Sequence, residues 1–274
     1  MKAISVLNLK GGVGKTVTAV NMAHILAAEH SKRVLLVDCD SQCNASEFFG
    51  LSQQQYALGG PTTLTDVLLG ECEPYYGDVV HPTGFDRLDM IPASDGLMDL
   101  DMSHIADSRV NGRCLAEICE AIAEDDSYDF VIFDCPPAFN AASAAALLAS
   151  DEVVVPIKLD AFSVRGLANV TRQIENIRRI NPEIRVAGAL VTMWRNTPVV
   201  VDAEQSLRSC ALIPVFETVI RRTDKVDEMT FERQPIAVYS PRSAAGYDYR
   251  AWVQEYLTPN MMIDGFDGGE QDAV

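Results

Sequence analysis

A doubly wound, mostly parallel α/β sheet with helices on both faces is the fold this sequence predicts, and three observations predict it. Short aliphatic runs alternate with helical stretches along the chain. The runs are apolar at nearly every position rather than at every second one, as strands covered on both faces require. Two of them end on an aspartate, Asp38 and Asp134, where an open parallel sheet places its polar chemistry.

The elements follow in order. Residues 4–9 predict a first strand. Residues 16–29 predict a helix whose apolar face carries Val20, Ala23 and Ala27, and residues 33–37 a second strand closed by Asp38. Together they form a βαβ unit. Pro61-Thr62-Thr63 opens a short helix over 64–69, glycine- and proline-bearing loops follow, and 88–91 predicts a short strand. A helix over 114–123, a buried strand over 130–133 and an alanine-rich helix over 138–149 come next. Strands at 153–157, 186–191 and 212–215, with a helix over 164–180, continue the alternation to a last helix over 247–257. One domain is expected across 1–257, followed by an acidic, mobile tail over 258–274.

Composition narrows the function classes. An apolar content of 48% supplies a large core, and no charge-free stretch reaches membrane-spanning length. Met1-Lys2 leads straight into an apolar run without the features of a signal peptide, so a cytoplasmic protein is expected, with no membrane partner. The seven cysteines include no Cys-x-x-Cys and read as small apolar fillers. A net charge of −17 opposes a polyanionic partner, yet the charge is uneven. Residues 1–160 carry 9 Lys and Arg against 24 Asp and Glu, whereas residues 161–250 carry 13 against 10. A basic surface has to come from that second segment.

The sequence Lys10-Gly11-Gly12-Val13-Gly14-Lys15-Thr16 lies between the first strand and the first helix, where phosphates would meet a helix N-terminus. It matches the phosphate-loop pattern if the first glycine is relaxed to Lys10, which places the fold among the P-loop NTPases. Gly11, Gly12, Val13, Gly14, Lys15, Thr16 and Val17 are the predicted cofactor-binding residues. Small residues let the backbone wrap an anion, Lys15 neutralises the β- and γ-phosphates of ATP, and Thr16 offers a hydroxyl to Mg²⁺. The Val17 side chain donates nothing to a phosphate. Asp134 is the predicted Mg²⁺-holding acid, Asp38 supports the metal's water network, and Asp40 is placed to position water at the γ-phosphate.

With these motifs in hand, the chain resembles the ParA/MinD group of deviant Walker-A ATPases, especially the ParA or Soj partition proteins. The resemblance rests on Lys-Gly-Gly-x-Gly-Lys-Thr at 10–16, Asp-x-Asp-x-Gln-x-Asn at 38–44 and Asp-x-Pro-Pro at 134–137, and continues through Gln234-Pro235-Ile236. It implies an ATP-dependent homodimer in which Lys10 reaches the partner's phosphates, with Lys10, Lys15 and Asp40 catalytic and Thr16, Asp38 and Asp134 at the metal. It also implies binding of nonspecific double-stranded DNA, for which Arg221, Arg222 and Lys225 are the candidates, with Arg195, Arg178 and Arg179 as lesser ones. A ParB-like adaptor and nucleoid association in the ATP state complete the expectation. Positioning of a protein cargo and a non-hydrolysing regulator are the alternatives. Three positions depart from the family habit: Val17 replaces a second hydroxyl, Ser41 a proline and Cys43 a glycine.

Overall fold

A computed structural model of the chain describes residues 1–52, 60–72, 76–106, 110–161, 163–210 and 212–258. Its centre is an eight-stranded sheet: β1 (Lys2–Val6), β2 (Val34–Asp38), β3 (His81–Phe85), β4 (Leu88–Ile91), β5 (Phe130–Asp134), β6 (Glu152–Lys158), β7 (Arg185–Trp194) and β8 (Val215–Arg221). The strand order is β3-β4-β2-β5-β1-β6-β7-β8, and every pairing but β3 with β4 is parallel. The predicted doubly wound sheet is therefore what the chain forms.

Alternate residues of each strand explain the continuous apolar runs. Leu35, Val37, Val131 and Phe133 pack in one buried cluster with α6 (Cys114–Asp125), α7 (Ala141–Ala149) and α8 (Ser163–Ile177). Val34, Leu36 and Ile132 pack in the other with α1 (Lys15–His30) and α12 (Ala244–Leu257). Little surface of the central strands remains for polar residues; Ser5 of β1 is buried, its hydroxyl bonded to that of Ser150 at 2.7 Å. The remaining helices are α2 (Asn44–Phe48), α3 (Leu64–Leu69), α4 (Tyr76–Val79), α5 (Met102–Ala106), α9 (Pro198–Ser209), α10 (Asp224–Glu232) and α11 (Ile236–Tyr239).

Several boundaries differ from the sequence reading. The first strand ends at Val6 rather than residue 9, because the chain must leave the ladder to form the loop. The last strand occupies Val215–Arg221, not 212–215; the apolar Leu212-Ile213-Pro214 draws the prediction forward, while pairing with β7 runs through Val219 to Arg221. Strand β3 has no counterpart in the sequence reading, since Pro82 and Gly84 argue against a strand, which only an edge position tolerates. Helix α7 begins at Ala141 instead of 138 because Asn140 caps it, accepting from the Ser143 amide. The predicted tail lies outside the described residues from 259 onward.

One core residue makes a testable electrostatic contribution. His24 on α1 is buried, its Nδ1 has no hydrogen-bond partner, and its ring meets Phe85 edge-on at 5.1 Å. Burial depresses its pKa, outweighing the attraction of Glu29, and Arg250 adds to the depression. The unfolded chain then binds this proton below about pH 6.5 while the native state resists it, so stability is lost as pH falls through that value. His24→Phe is expected to gain thermal stability relative to wild type as pH drops from about 7.5 to 5.5. A difference in melting temperature that stays constant over that range would refute the assignment.

Candidate functional site

Strand β1 delivers the chain to a loop that closes on the first turn of α1. Gly12 and Gly14 adopt φ of 69° and 85°, the left-handed region that a side chain disfavours. A Cβ at Gly11 or Gly12 would meet nothing within 4 Å, so the space over the loop is open. Helix α1 has no side-chain cap and no acid in its first turn. Its free amides and dipole favour an anion there.

Lys15 is only 7% exposed, and its Nζ donates to the Lys10 carbonyl at 3.3 Å. Burial lowers its pKa, opposed by Asp134 and Asp40. Asp134 closes β5 between Val6 of β1 and Asp38 of β2, at the middle of the sheet. It is 1% exposed, and neither carboxylate oxygen has a hydrogen-bond partner. The Thr16 hydroxyl lies near enough to favour the charged form, though without the geometry of a formed bond. Desolvation dominates and, with Asp38 nearby, pushes the Asp134 pKa well above the usual carboxylate range. A buried acid left without donors is an expensive arrangement unless a cation completes it. Two hard carboxylate oxygens beside a hydroxyl fit Mg²⁺. Among the described residues no group of three or more His, Cys, Asp or Glu is arranged to hold a metal ion by itself.

Asp38 and Asp40 divide differently. Asp38 is fully buried, with one oxygen accepting from the Ser46 amide and hydroxyl at 2.9 and 2.8 Å and the other from the Asp40 amide at 3.1 Å. Its pKa is pushed up to about 6 by burial, against these bonds. Its oxygens thus brace the loop after β2, and any contact with a metal's water would be made beside those bonds. Asp40 accepts from the Gln42 amide at 3.0 Å and sits at the edge of the site, 7% exposed. Cys43 adopts φ 53° at the start of α2, which is the physical reason a glycine suits that position.

The structure pairs Lys10 with Asp160, just beyond β6, an ion pair that the sequence does not announce. Thr192 near the end of β7 and Asn8 just after β1 also contact the loop, through hydrogen bonds to Val13 and Lys10. A cleft of about 50 Å³ adjoins the loop at Gly14 and Val17, walled by Met193, Thr223, Val226 and Tyr249. Its exposed lining is mostly apolar, and Arg221, Arg222 and Asp227 also border it.

The predicted DNA candidates do not share one environment. Arg221 ends β8 in a bidentate pair with Asp248, at 2.6 and 2.9 Å, that raises its pKa. Lys225 is held by Glu228 at 2.6 Å. Arg222 is more loosely placed, 3.9 Å from Asp227, and lines a second cleft of about 200 Å³ with Lys158, Trp194 and Arg195.

A family profile described as an AAA domain matches residues 1–186. The chromosome partitioning protein ParA of Caulobacter vibrioides is 33% identical over 260 residues, which span 94% of each chain. This chain belongs to the ParA/MinD family of ATPases. Among solved structures, the apo McdA of Cyanothece superposes with a TM-score of 0.80 at 21% identity, covering 94% of this chain and all of that one, and shows the shared fold. A cobyrinic acid a,c-diamide synthase from Mycobacterium smegmatis, solved with an ATP analogue and magnesium, superposes at 0.76 with 26% identity and 94% of each chain covered. No helix among the described residues is long and apolar enough to cross a membrane.

The loop motifs are legible in the sequence, whereas Asp160, Ser46 and Thr192 are not. The motifs are contiguous in sequence. The other three residues act across separations of 150, 8 and 179 positions and carry no local signature.

Proposed function

We propose that this chain is a Mg²⁺-dependent ATPase that dimerises on ATP, binds nonspecific double-stranded DNA as the dimer, and segregates plasmid, mobile-element or chromosomal DNA with a ParB-like adaptor. The observation that carries the ATPase reading is the donor-less, buried carboxylate of Asp134 beside a glycine loop and the sequestered Lys15. Loop amides and Lys15 bind the phosphates. Asp134 and Thr16 would hold Mg²⁺, which offsets negative charge on the phosphate oxygens when bound. Asp40, at the mouth of the site, orients the attacking water. Lys10 leaves Asp160 to reach the phosphates held by a second copy, so the presence of the γ-phosphate is reported as dimer formation. Hydrolysis removes that contact and reopens the dimer.

DNA contact falls to Arg222 and Lys225, with Arg221 restrained by Asp248. The acidic character of the chain suits a basic adaptor segment. The pairing of Arg221 and Lys225 with neighbouring acids favours, as the second reading, a protein cargo carried by the same nucleotide cycle.

Retention on a random duplex at about 0.1 M salt, with ATP, ADP or no nucleotide, separates these readings when the same samples are sized by gel filtration. The DNA reading expects an ATP-selective dimer on DNA. Combining Arg222→Ala with Lys225→Ala is expected to weaken retention and flatten its salt slope by roughly one for each phosphate no longer neutralised, with nucleotide affinity unchanged. An ATP-dependent dimer with no DNA affinity would transfer the proposal to a protein cargo.

A further inference from the structure

Two buried polar side chains from outside the phosphate loop hold its backbone. The Thr192 hydroxyl donates to the Val13 carbonyl at 2.8 Å, and Thr192 is 3% exposed. Asn8 accepts from the Lys10 amide at 3.0 Å and donates to the Pro156 carbonyl on β6 at 2.8 Å. The loop is therefore tied to β6 near its beginning and to β7 near its end.

The Thr192 hydrogen bond has a stereochemical consequence. The Val13 carbonyl and the Gly14 N–H belong to one planar peptide, and in the trans form they point in opposite directions. Gly14 has φ 85° and a glycine's freedom, so by itself this peptide turns over at little cost. A reversed peptide would aim a carbonyl dipole at the phosphates in place of a donor. The Met193 side chain lies 3.9 Å from where a Gly14 Cβ would stand, and Met193 itself adopts φ 52°, a conformation a non-glycine residue takes only under constraint.

We infer that Thr192 is a positioning residue for nucleotide binding: its hydroxyl fixes the Val13–Gly14 peptide with the carbonyl outward, so that the Gly14 N–H faces the phosphates before any ligand arrives, while Asn8 anchors the other end. This inference rests on the ATP reading for its ligand but not for its geometry. Preorganisation of this kind lowers the ordering cost of binding and adds no contact to the nucleotide.

The test compares Thr192→Val, which keeps the shape and removes the donor, with Thr192→Ser, which restores it. Mg-ADP affinity by calorimetry is expected to fall about tenfold in Thr192→Val and to recover in Thr192→Ser, from the loss of one buried hydrogen bond. Hydrogen exchange of the ligand-free loop amides is expected to accelerate in Thr192→Val alone. A merely structural role would lower the melting temperature without a loop-specific change in exchange. Wild-type affinity in Thr192→Val, unchanged loop exchange, or a loss that Thr192→Ser does not rescue overturns the inference. Should Thr192→Val not fold, Thr192→Ala is judged by the same criteria. Failure of wild type to bind Mg-ADP would refute the ATP reading, and the exchange comparison would still decide the role of Thr192.

Discussion

Asp134→Asn is expected to raise the melting temperature of the ligand-free protein and to cut Mg²⁺-dependent ATP turnover by about 100-fold or more. The stability gain follows from burial: the carboxylate is 1% exposed, lacks donors to both oxygens, and lies close to Asp38. Desolvating a charge without hydrogen-bond donors costs several kcal/mol even after relaxation, of the order known for buried ions; the nearby Lys15 offsets only part of this, and the amide removes the charge at constant shape. Part of that cost is already relieved by the raised pKa, so a gain of about 2–4 °C per kcal/mol recovered is the scale to look for. The functional loss follows from the same atoms, since an amide presents one neutral oxygen where Mg²⁺ would meet a carboxylate. Thermal melts without ligand and with Mg-ADP, together with a phosphate-release assay, check both halves. A variant that is no more stable when ligand-free, or that turns over normally, would show that Asp134 is not held in reserve for a cation.

The second large effect separates the two lysines of the loop. Lys15→Ala is expected to weaken Mg-ADP binding by about 100-fold or more, because Lys15 is 7% exposed at the start of α1, close to Asp134 and Asp40, and is the lysine proposed to meet the phosphates. Lys10→Ala is expected to leave monomer affinity for Mg-ADP within a few-fold while abolishing the ATP-dependent dimer. The distinction rests on placement: Lys10 is paired with Asp160 at the partly exposed surface, whereas Lys15 is buried and donates to the loop backbone. Calorimetry on the monomer and gel filtration with ATP read the two effects independently. Equal losses of affinity in both variants would refute the division of labour.

Lys10–Thr16, Asp38, Asp40 and Asp134 are legible because each lies in a short contiguous motif at the end of an apolar run, and the architecture of a parallel sheet puts such ends on one rim. The apolar alternation of strand and helix announces the sheet for the same reason, since strands buried on both faces leave little room for polar residues along their length. Strand β3 and the true span of β8 are not legible, because both occupy sheet edges where pairing and packing override local propensity. The environment of the basic candidates is equally hidden: nothing near Arg221 in sequence announces Asp248, 27 residues away.

The sequence by itself determined the fold class, the family, the phosphate loop and the acids at the strand ends, because these are written in local pattern and spacing. The tertiary structure alone decided that Asp134 stands without donors, that Asp38 is bound to Ser46, that Lys10 rests on Asp160 and that Thr192 holds the loop through Val13. Apart from the local contact of Asp38 with Ser46, those are relations between strand ends and loops made neighbours by crossover connections, and hydrogen bonding and desolvation act through distance in space rather than along the chain.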